Sequence, residues 1–591
     1  MSPAQVQSLD STNPDKKPHH DPESMHYAEA SDPENEANFT TEERILSNEN
    51  EIQLQLSRQH SAKDIGDLVR KHHRRKVCFF AVVSVFVGAA VAAGITIGVK
   101  EKRQNDNKSS AANSNNSGAS SQPTPTLYDM CLISAESTYT SQNNITCSKN
   151  PDENKYDDGI FSYGTTDADN ENKSRGRWAK LADAIHGEAG GDNSGLAIDM
   201  SCDGSIVAIG ALMNDAGDAE RTPNIGHVRV FELQENSKRK ELMWKQLGED
   251  IDGAAAQDRF GGSLSLSADG KRIAIGAIGH DASDETTSIG LVQVYDYRMG
   301  DWIKLTDDLR GTEESQFFGR SVSLSADGMR LAVGSSGADS DAVDGDDVGM
   351  VEVFELDKNN AWQAIGQKIY GQHGKSTYFG RSVSLSGGGS TLAVGGFGGN
   401  YGNNEDAGVV QVFRWKEELG TWAQQGRDLH GKKGIIGDWF GLSVGLNYGG
   451  TRVAVGAPGD NSMQNLVPGY TMVFEQTSTN EWEQLGQDLD GGYSVSISFD
   501  GNRVAAGSYK HFDNGINSGG VRIYKYLGRK GGKPTWITSG QHLNGEARSM
   551  FGSSVAMSSN GKRIISGAPA SVGKDGRLHV GSTQVYEWCG I

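Results

Sequence analysis

Seven of the ten tryptophans recur at one position of a repeat: Trp178, Trp244, Trp302, Trp362, Trp422, Trp482 and Trp536. Successive spacings are 66, 58, 60, 60, 60 and 54 residues. A period of this length means an array of equivalent units, each too small to bury its own apolar face. Two copies read Trp-x-x-Leu-Gly in full, at Trp244 and Trp482, and most continue with an apolar residue and a Gly, as in Leu429-His-Gly431 and Leu489-Asp-Gly491. A second pattern follows. FGGSLSLSADGKRIAIGA begins at Phe260, FGRSVSLSADGMRLAVGS at Phe318 and FGLSVGLNYGGTRVAVGA at Phe440. The copies in the first and sixth units lack the Phe.

Within SVSLS the apolar residues alternate, the period of a strand with one buried face. Ala268-Asp-Gly-Lys271 then reads as a hairpin turn, with Gly270 supplying the φ > 0 residue, and Arg272-Ile-Ala-Ile-Gly276 as the returning strand. A third strand is expected at GHVRVFEL, GLVQVYDY, GMVEVFEL and GVVQVFRW, starting at Gly226, Gly290, Gly349 and Gly408. The Trp segment supplies the fourth. Four antiparallel strands in each of seven units predict an all-β, seven-bladed β-propeller over residues 178–591, with a solenoid as the alternative. Ring closure then requires the Trp178 strand to complete the seventh blade. Glycine supports a turn-dense β protein: 77 of 591 residues, about twice the ordinary ~7%.

The chain upstream is of another kind. Residues 1–76 are polar and charged with few aromatics, a composition for a disordered tail. Residues 77–99, VCFFAVVSVFVGAAVAAGITIGV, hold no charge and are long enough to cross a bilayer as one helix. Five basic residues from Arg70 to Lys76 precede the span, and Lys100, Lys102 and Arg103 follow it. The positive-inside bias places the N-terminus in the cytoplasm, so a type II single-pass protein with an extracellular C-terminal domain, at the plasma membrane, is expected. Gly94 and Gly98 form a G-x-x-x-G that lets two spans approach closely, a route to a homodimer. Residues 100–126 are an Asn/Ser-rich stalk, and 127–177 a cysteine-containing segment before the propeller.

Sequons at Asn107, Asn115, Asn144 and Asn172 all follow the span and are candidate glycosylation sites. Cys131, Cys147, Cys202 and Cys589 also follow it. Four cysteines allow three pairings; Cys131–Cys147 as a local loop and Cys202–Cys589 as a tie from first blade to last are favoured.

The Phe-Gly that opens five of the units and the Gly-Ala or Gly-Ala-Pro that closes the second strand in several, as in Phe440-Gly441 with Gly456-Ala-Pro458, resemble the FG-GAP repeat of integrin-α-type propellers. The resemblance covers roughly residues 178–591. It implies a propeller that binds ligands on its loop-built face, with Ca²⁺ held in an inter-strand loop of some blades. The third unit comes near that loop pattern, so the resemblance implies Asp339, Asp341, Asp344, Asp346 and Asp347 as Ca²⁺ ligands. Asp215-Ala-Gly-Asp218 and Asp281-Ala-Ser-Asp284 are poorer copies.

Catalytic patterns are scarce. Gly441-Leu-Ser443-Val-Gly445 matches a nucleophile elbow, but falls in a strand of the repeat rather than at a strand-to-helix turn. The 14 His show no H-E-x-x-H, and no P-loop or C-x-x-C occurs. Net charge is 56 − 76 = −20, against nucleic-acid binding. The expected function is an extracellular binding or adhesion module for a protein or glycan ligand, not an enzyme, with a short tail that contacts adaptors. The rivals are a surface enzyme acting on carbohydrate, which needs two or three carboxylates converging at the central channel, and a structural wall or matrix component.

Overall fold

The computed structural model describes residues 176–590 apart from the segments 218–222, 282–287, 341–346, 373–375, 400–406, 433–436, 460–468 and 511–512. The span at 77–99, Gly94 and Gly98, the four sequons, Cys131 and Cys147 lie outside the described residues. So do Asp341, Asp344 and Asp346. No helix among the described residues is long and apolar enough to cross a membrane.

The described chain is a seven-bladed β-propeller. Blade 2 shows the unit: Phe260–Leu266, Arg272–Ala277, Leu291–Arg298 and Asp301–Lys304, antiparallel and in that order from inside out. The outer edge is broken. After Trp302 the chain loops away and returns as Leu309–Arg310, which pairs with the opposite end of the third strand. The Leu-x-Gly seen in the sequence is this return, bonded through Gly311 N–H to Gly290 O.

Second strands such as Ile206–Ala211 are buried along their whole length, because each lies between neighbouring blades. There Gly276 is obligatory: a Cβ on it would sit 2.2 Å from the carbonyl oxygen of Gly319 in blade 3. The motif Phe fills the same interface. Phe260, Phe318, Phe379 and Phe440 are at most 1% exposed, and the last three meet Phe354, Phe413 and Phe474 edge-on. The hairpin turns are self-contained. Ser267 Oγ–H donates to Asp269, Lys271 N–H donates to the same Asp269 oxygen, and Arg272 N–H donates to Ser267 Oγ.

Tryptophan joins blades at the rim. Six indole N–H groups donate to a backbone carbonyl one blade back, among them Trp302 to Leu247 O at 2.7 Å and Trp536 to Leu485 O at 2.6 Å. That carbonyl is presented by a residue preceding a left-handed one: Gly248, Gly366, Gly426, Gly486, Gly540 or Ala182. Blade 2 has Thr306 there, and the β-branched Thr306 does not adopt positive φ. Trp362 Nε1 accordingly has no partner, and a cavity of about 610 Å³ opens along Leu305, Thr306, Asp307 and Trp362.

The ring closes as closure demands. Gly176–Lys180 is the outer strand of blade 7, with Trp178 opposite Trp588. Ser554 Oγ donates to Gly195 O, Ser559 N–H donates to Cys202 O, and Arg563 Nη1 donates to Asp203 O. Blade 7 therefore packs on blade 1, which excludes a solenoid.

Candidate functional site: the loop face

Each blade reaches its inner strand through a loop on the face opposite the hairpin turns. Two residues before the motif Gly in that loop stands a left-handed residue that is not glycine: Asn193, Arg259, Phe317, Tyr378, Trp439 and Met550, with φ between 51° and 57°. The cause lies one residue earlier. Asp192, Asp258, Gln316, Thr377, Asp438 and Ser549 are all at most 3% exposed. Asp192 Oδ2 accepts Ala189 N–H at 2.7 Å, Asp258 Oδ2 accepts Ala255 N–H at 2.9 Å and Gln316 Oε1 accepts Thr312 N–H at 2.7 Å. The buried acceptor pins the loop, and the following residue takes the left-handed turn that lets the Phe enter the core. Left-handed backbone at bulky residues costs on the order of 1 kcal/mol each, and such strain gathers at functional sites.

What that position carries divides the ring in two. Blades 7, 1 and 2 present Met550, Asn193 and Arg259; blades 3, 4 and 5 present Phe317, Tyr378 and Trp439, all half-buried. Tyr378 stacks on Phe397, with centroids 5.1 Å apart and planes at 8°, and Phe397 meets Trp439 edge-on at 5.6 Å. Phe397 stands where other units have the Pro of Gly-Ala-Pro. Blade 6 adds Tyr493 against Tyr509 at 4.4 Å. Arg320 and Arg381 directly follow the motif Gly of blades 3 and 4. The aromatic half is therefore a platform of flat rings with arginines beside it, chemistry suited to grasping a ligand by stacking.

In blade 5 the clamp is elaborated. Tyr470 O–H donates to Asp438 in a short bond, Lys432 N–H donates to Tyr470 O at 2.8 Å, and the Lys432 ammonium lies 4.2 Å from the ring centroid. Burial is the main cause that raises Asp438 to about 6. Burial likewise pushes the Tyr470 hydroxyl up, with Asp438 adding to it.

The seven inner strands contact one another in a closed ring. Ser265, Ser323 and Ser384 each accept the backbone N–H of the next inner strand, at 3.1, 2.9 and 3.0 Å. Asp199 takes that part in blade 1, accepting Leu266 N–H at 2.8 Å. It is the sole carboxylate among the described inner strands. Enclosure by the strands raises it to about 6.

Other sequence-marked residues have structural occupations. Ser443 lies in the strand Ser443–Leu446, and its Oγ accepts Val495 N–H, so the G-x-S-x-G is no elbow. Asp339 Oδ1 accepts Asp347 N–H at 2.8 Å and Asp215 Oδ1 accepts Asn224 N–H at 2.8 Å; Asp281 does the same with Ser288 N–H. The first Asp of each acidic loop thus closes that loop at its base. Cys202, in the blade 1 hairpin turn, and Cys589, beside Trp588, are both disulfide-bonded. His227, at the start of the third strand of blade 1, is held neutral by burial and by Arg229.

Sequence reasoning did not single out the aromatic platform, although its signal stood one residue before each FG: Phe317, Tyr378 and Trp439 precede Phe318, Phe379 and Phe440.

The fold and face define the chain as a propeller with an asymmetric, aromatic loop face. No protein-family model and no curated protein matches it. Among solved structures, a chain of hydrazine synthase from Kuenenia stuttgartiensis is similar at 14% identity and TM-score 0.40, over 65% of this chain and 94% of that one. So distant a likeness carries no argument about function.

Proposed function

We propose that this chain is a type II, single-pass membrane protein that presents an FG-GAP-like propeller outside the cell and binds a protein or glycan ligand on the aromatic half of its loop face. The observation that carries the reading is the row Tyr378–Phe397–Trp439, running across two blades on strained backbone. Tyr, Trp and Arg dominate binding hot spots because they offer large contact area at little entropic cost. Disulfide bonding at Cys202 and Cys589 accords with an oxidising compartment. Asp199 as the sole carboxylate among the described inner strands speaks against two-carboxylate glycoside hydrolysis by those strands. The acidic loop bounded by Asp339 and Asp347 belongs to the reading as its Ca²⁺-dependent element.

The test is a glycan array and a panel of surface proteins probed with the full chain, with Ca²⁺ and with chelator. The expected outcome is a specific ligand whose binding falls at least tenfold in Trp439→Ala and in Tyr378→Ala, at unchanged melting temperature. A ligand bound equally by both variants would place recognition elsewhere and end the reading of this face.

A further inference from the structure

Blade 1 departs from the repeat at the first residue of its third strand. The other blades have Leu291, Met350, Val409, Tyr470, Gly520 and Ser582 there; blade 1 has His227. His227 is 2% exposed, and its Nε2 is buried without a hydrogen-bond partner. A buried, unpartnered imidazole nitrogen is costly and calls for a reason.

Two carboxylates surround it. Glu188 comes from the loop joining the last blade's outer strand to blade 1, and Asp250 from the loop preceding Ile251–Asp252. One donor atom from each of Glu188, His227 and Asp250 lies within 4.8 Å of the other two. Both carboxylates are held from behind. Asp192 Oδ2 accepts Glu188 N–H, Arg229 Nη1 is 3.0 Å from Glu188 Oε1, and Gln246 Nε2 donates to Asp250 Oδ1 at 2.6 Å. Blade 2 provides an internal contrast: Asp308 corresponds to Asp250, but it is ion-paired with Lys304 and Arg310 and has Leu291 at the His227 position.

We infer that Glu188, His227 and Asp250 form a divalent transition-metal site of the Zn²⁺ type at the seam between the last and first blades. One imidazole nitrogen with two carboxylate oxygens is a borderline donor set that Zn²⁺ accepts, whereas Ca²⁺ and Mg²⁺ prefer oxygen alone. Bound donors stand closer together than 4.8 Å, and rotation of the exposed Glu188 side chain about its own torsions supplies the closure. Arg229 and Gln246 act as the outer shell that orients the carboxylates. Three protein ligands leave a fourth position for water or for a donor from a ligand. Two carboxylates and one guanidinium give the cluster a formal charge of −1 before the metal enters. The ion clamps the loop that leaves blade 7 to the third strand of blade 1, so occupancy stabilises the closed ring.

The experiment strips the full chain with chelator, then titrates it with ZnCl₂ and, separately, CaCl₂, following heat, melting temperature and retained metal after gel filtration. The wild type is expected to retain one Zn²⁺ more than the Glu188→Gln/Asp250→Asn double variant, and to melt higher with Zn²⁺. Each single variant weakens this site at least tenfold and keeps the metal-free melting temperature. His227→Leu, the blade 2 residue, removes the site without lowering the metal-free melting temperature. Equal zinc retention by wild type and double variant would overturn the inference, as would Ca²⁺ binding at these residues in preference to Zn²⁺.

Discussion

On the turn face, Arg272, Arg330, Arg452 and Arg563 each reach from the second strand of one blade to the hairpin turn of the next. They donate to Gly328 O, Gly389 O, Gly501 O and Asp203 O respectively, and pair with Asp296, Glu355, Glu475 and Glu587 of their own third strand. On the loop face an equally repeated backbone position holds Met550, Asn193, Arg259, Phe317, Tyr378 and Trp439. One face repeats its side chains and turns them on neighbouring blades; the other repeats only its backbone. Two faces of one ring are built differently, the turn face for closure and the loop face, in the function proposed above, for recognition.

The comparison breaks first at Arg452. Its guanidinium bonds Gly501 O, Asn502 and Glu475 and lies 4.9 Å from the Tyr526 ring centroid. Arg452→Ala is expected to cost about 2–3 kcal/mol in denaturant titration, from the lost charged hydrogen bonds, while leaving ligand affinity on the loop face unchanged. A loss of affinity to match the loss of stability would show that the faces are coupled.

Asp199 sharpens the comparison at the axis. Its folded pKa, raised to about 6, lies above the unfolded value of roughly 3.9. The native state therefore holds more protons between these values, and the group's contribution to stability is lost as pH rises from about 4 to 6. Asp199→Asn should remove that slope, at a cost of about 1 kcal/mol, because Oδ1 and Oδ2 accept Met200 N–H and Leu266 N–H and an amide keeps only one acceptor. Urea midpoints compared at pH 4 and pH 7 check it; a parallel pH profile in the variant would refute it.

The smallest expected effect lies in blade 6. Arg503 stands opposite Lys525 in the register where the other arginines have an acid. Its Nη1 has no hydrogen-bond partner, burial lowers its pKa, and the guanidinium lies 5.7 Å from the Trp588 ring centroid. Lys525→Glu restores the absent acid and is expected to add roughly 0.5–1 kcal/mol, the scale of a partly exposed ion pair. No gain would mean that the carbonyl contacts, rather than the acids, hold the turn face together.

Whatever repeats was legible in the sequence: blade number, strand order, the turn at Ser267-Ala-Asp-Gly270 and the closing role of Trp178 all follow from period and alternation. What depends on contacts between blades was not. The arginine bridges join residues 49 to 59 positions apart, or about 360 across the closure, and nothing in Arg-Ile-Ala-Ile-Gly announces a partner carbonyl. The left-handed turns at Tyr378 and Trp439 escape a reader who looks for glycine, because Thr377 and Asp438 are buried beside them. Glu188 and Asp250 come from separate loops and His227 from the start of a strand, at a position where no other blade has an imidazole.

The outer strand of blade 7 is the first described strand of the chain, and its partner is the last. During synthesis, roughly 400 residues separate the emergence of Gly176–Lys180 from that of Ser582–Gly590. At ~5–20 residues per second the first strand waits about 20–80 s for its partner. Until then the growing chain is an open arc with unpaired edges at both ends, and a chain cut short in the last blade is a six-bladed precursor whose Gly176–Lys180 has no strand to pair with.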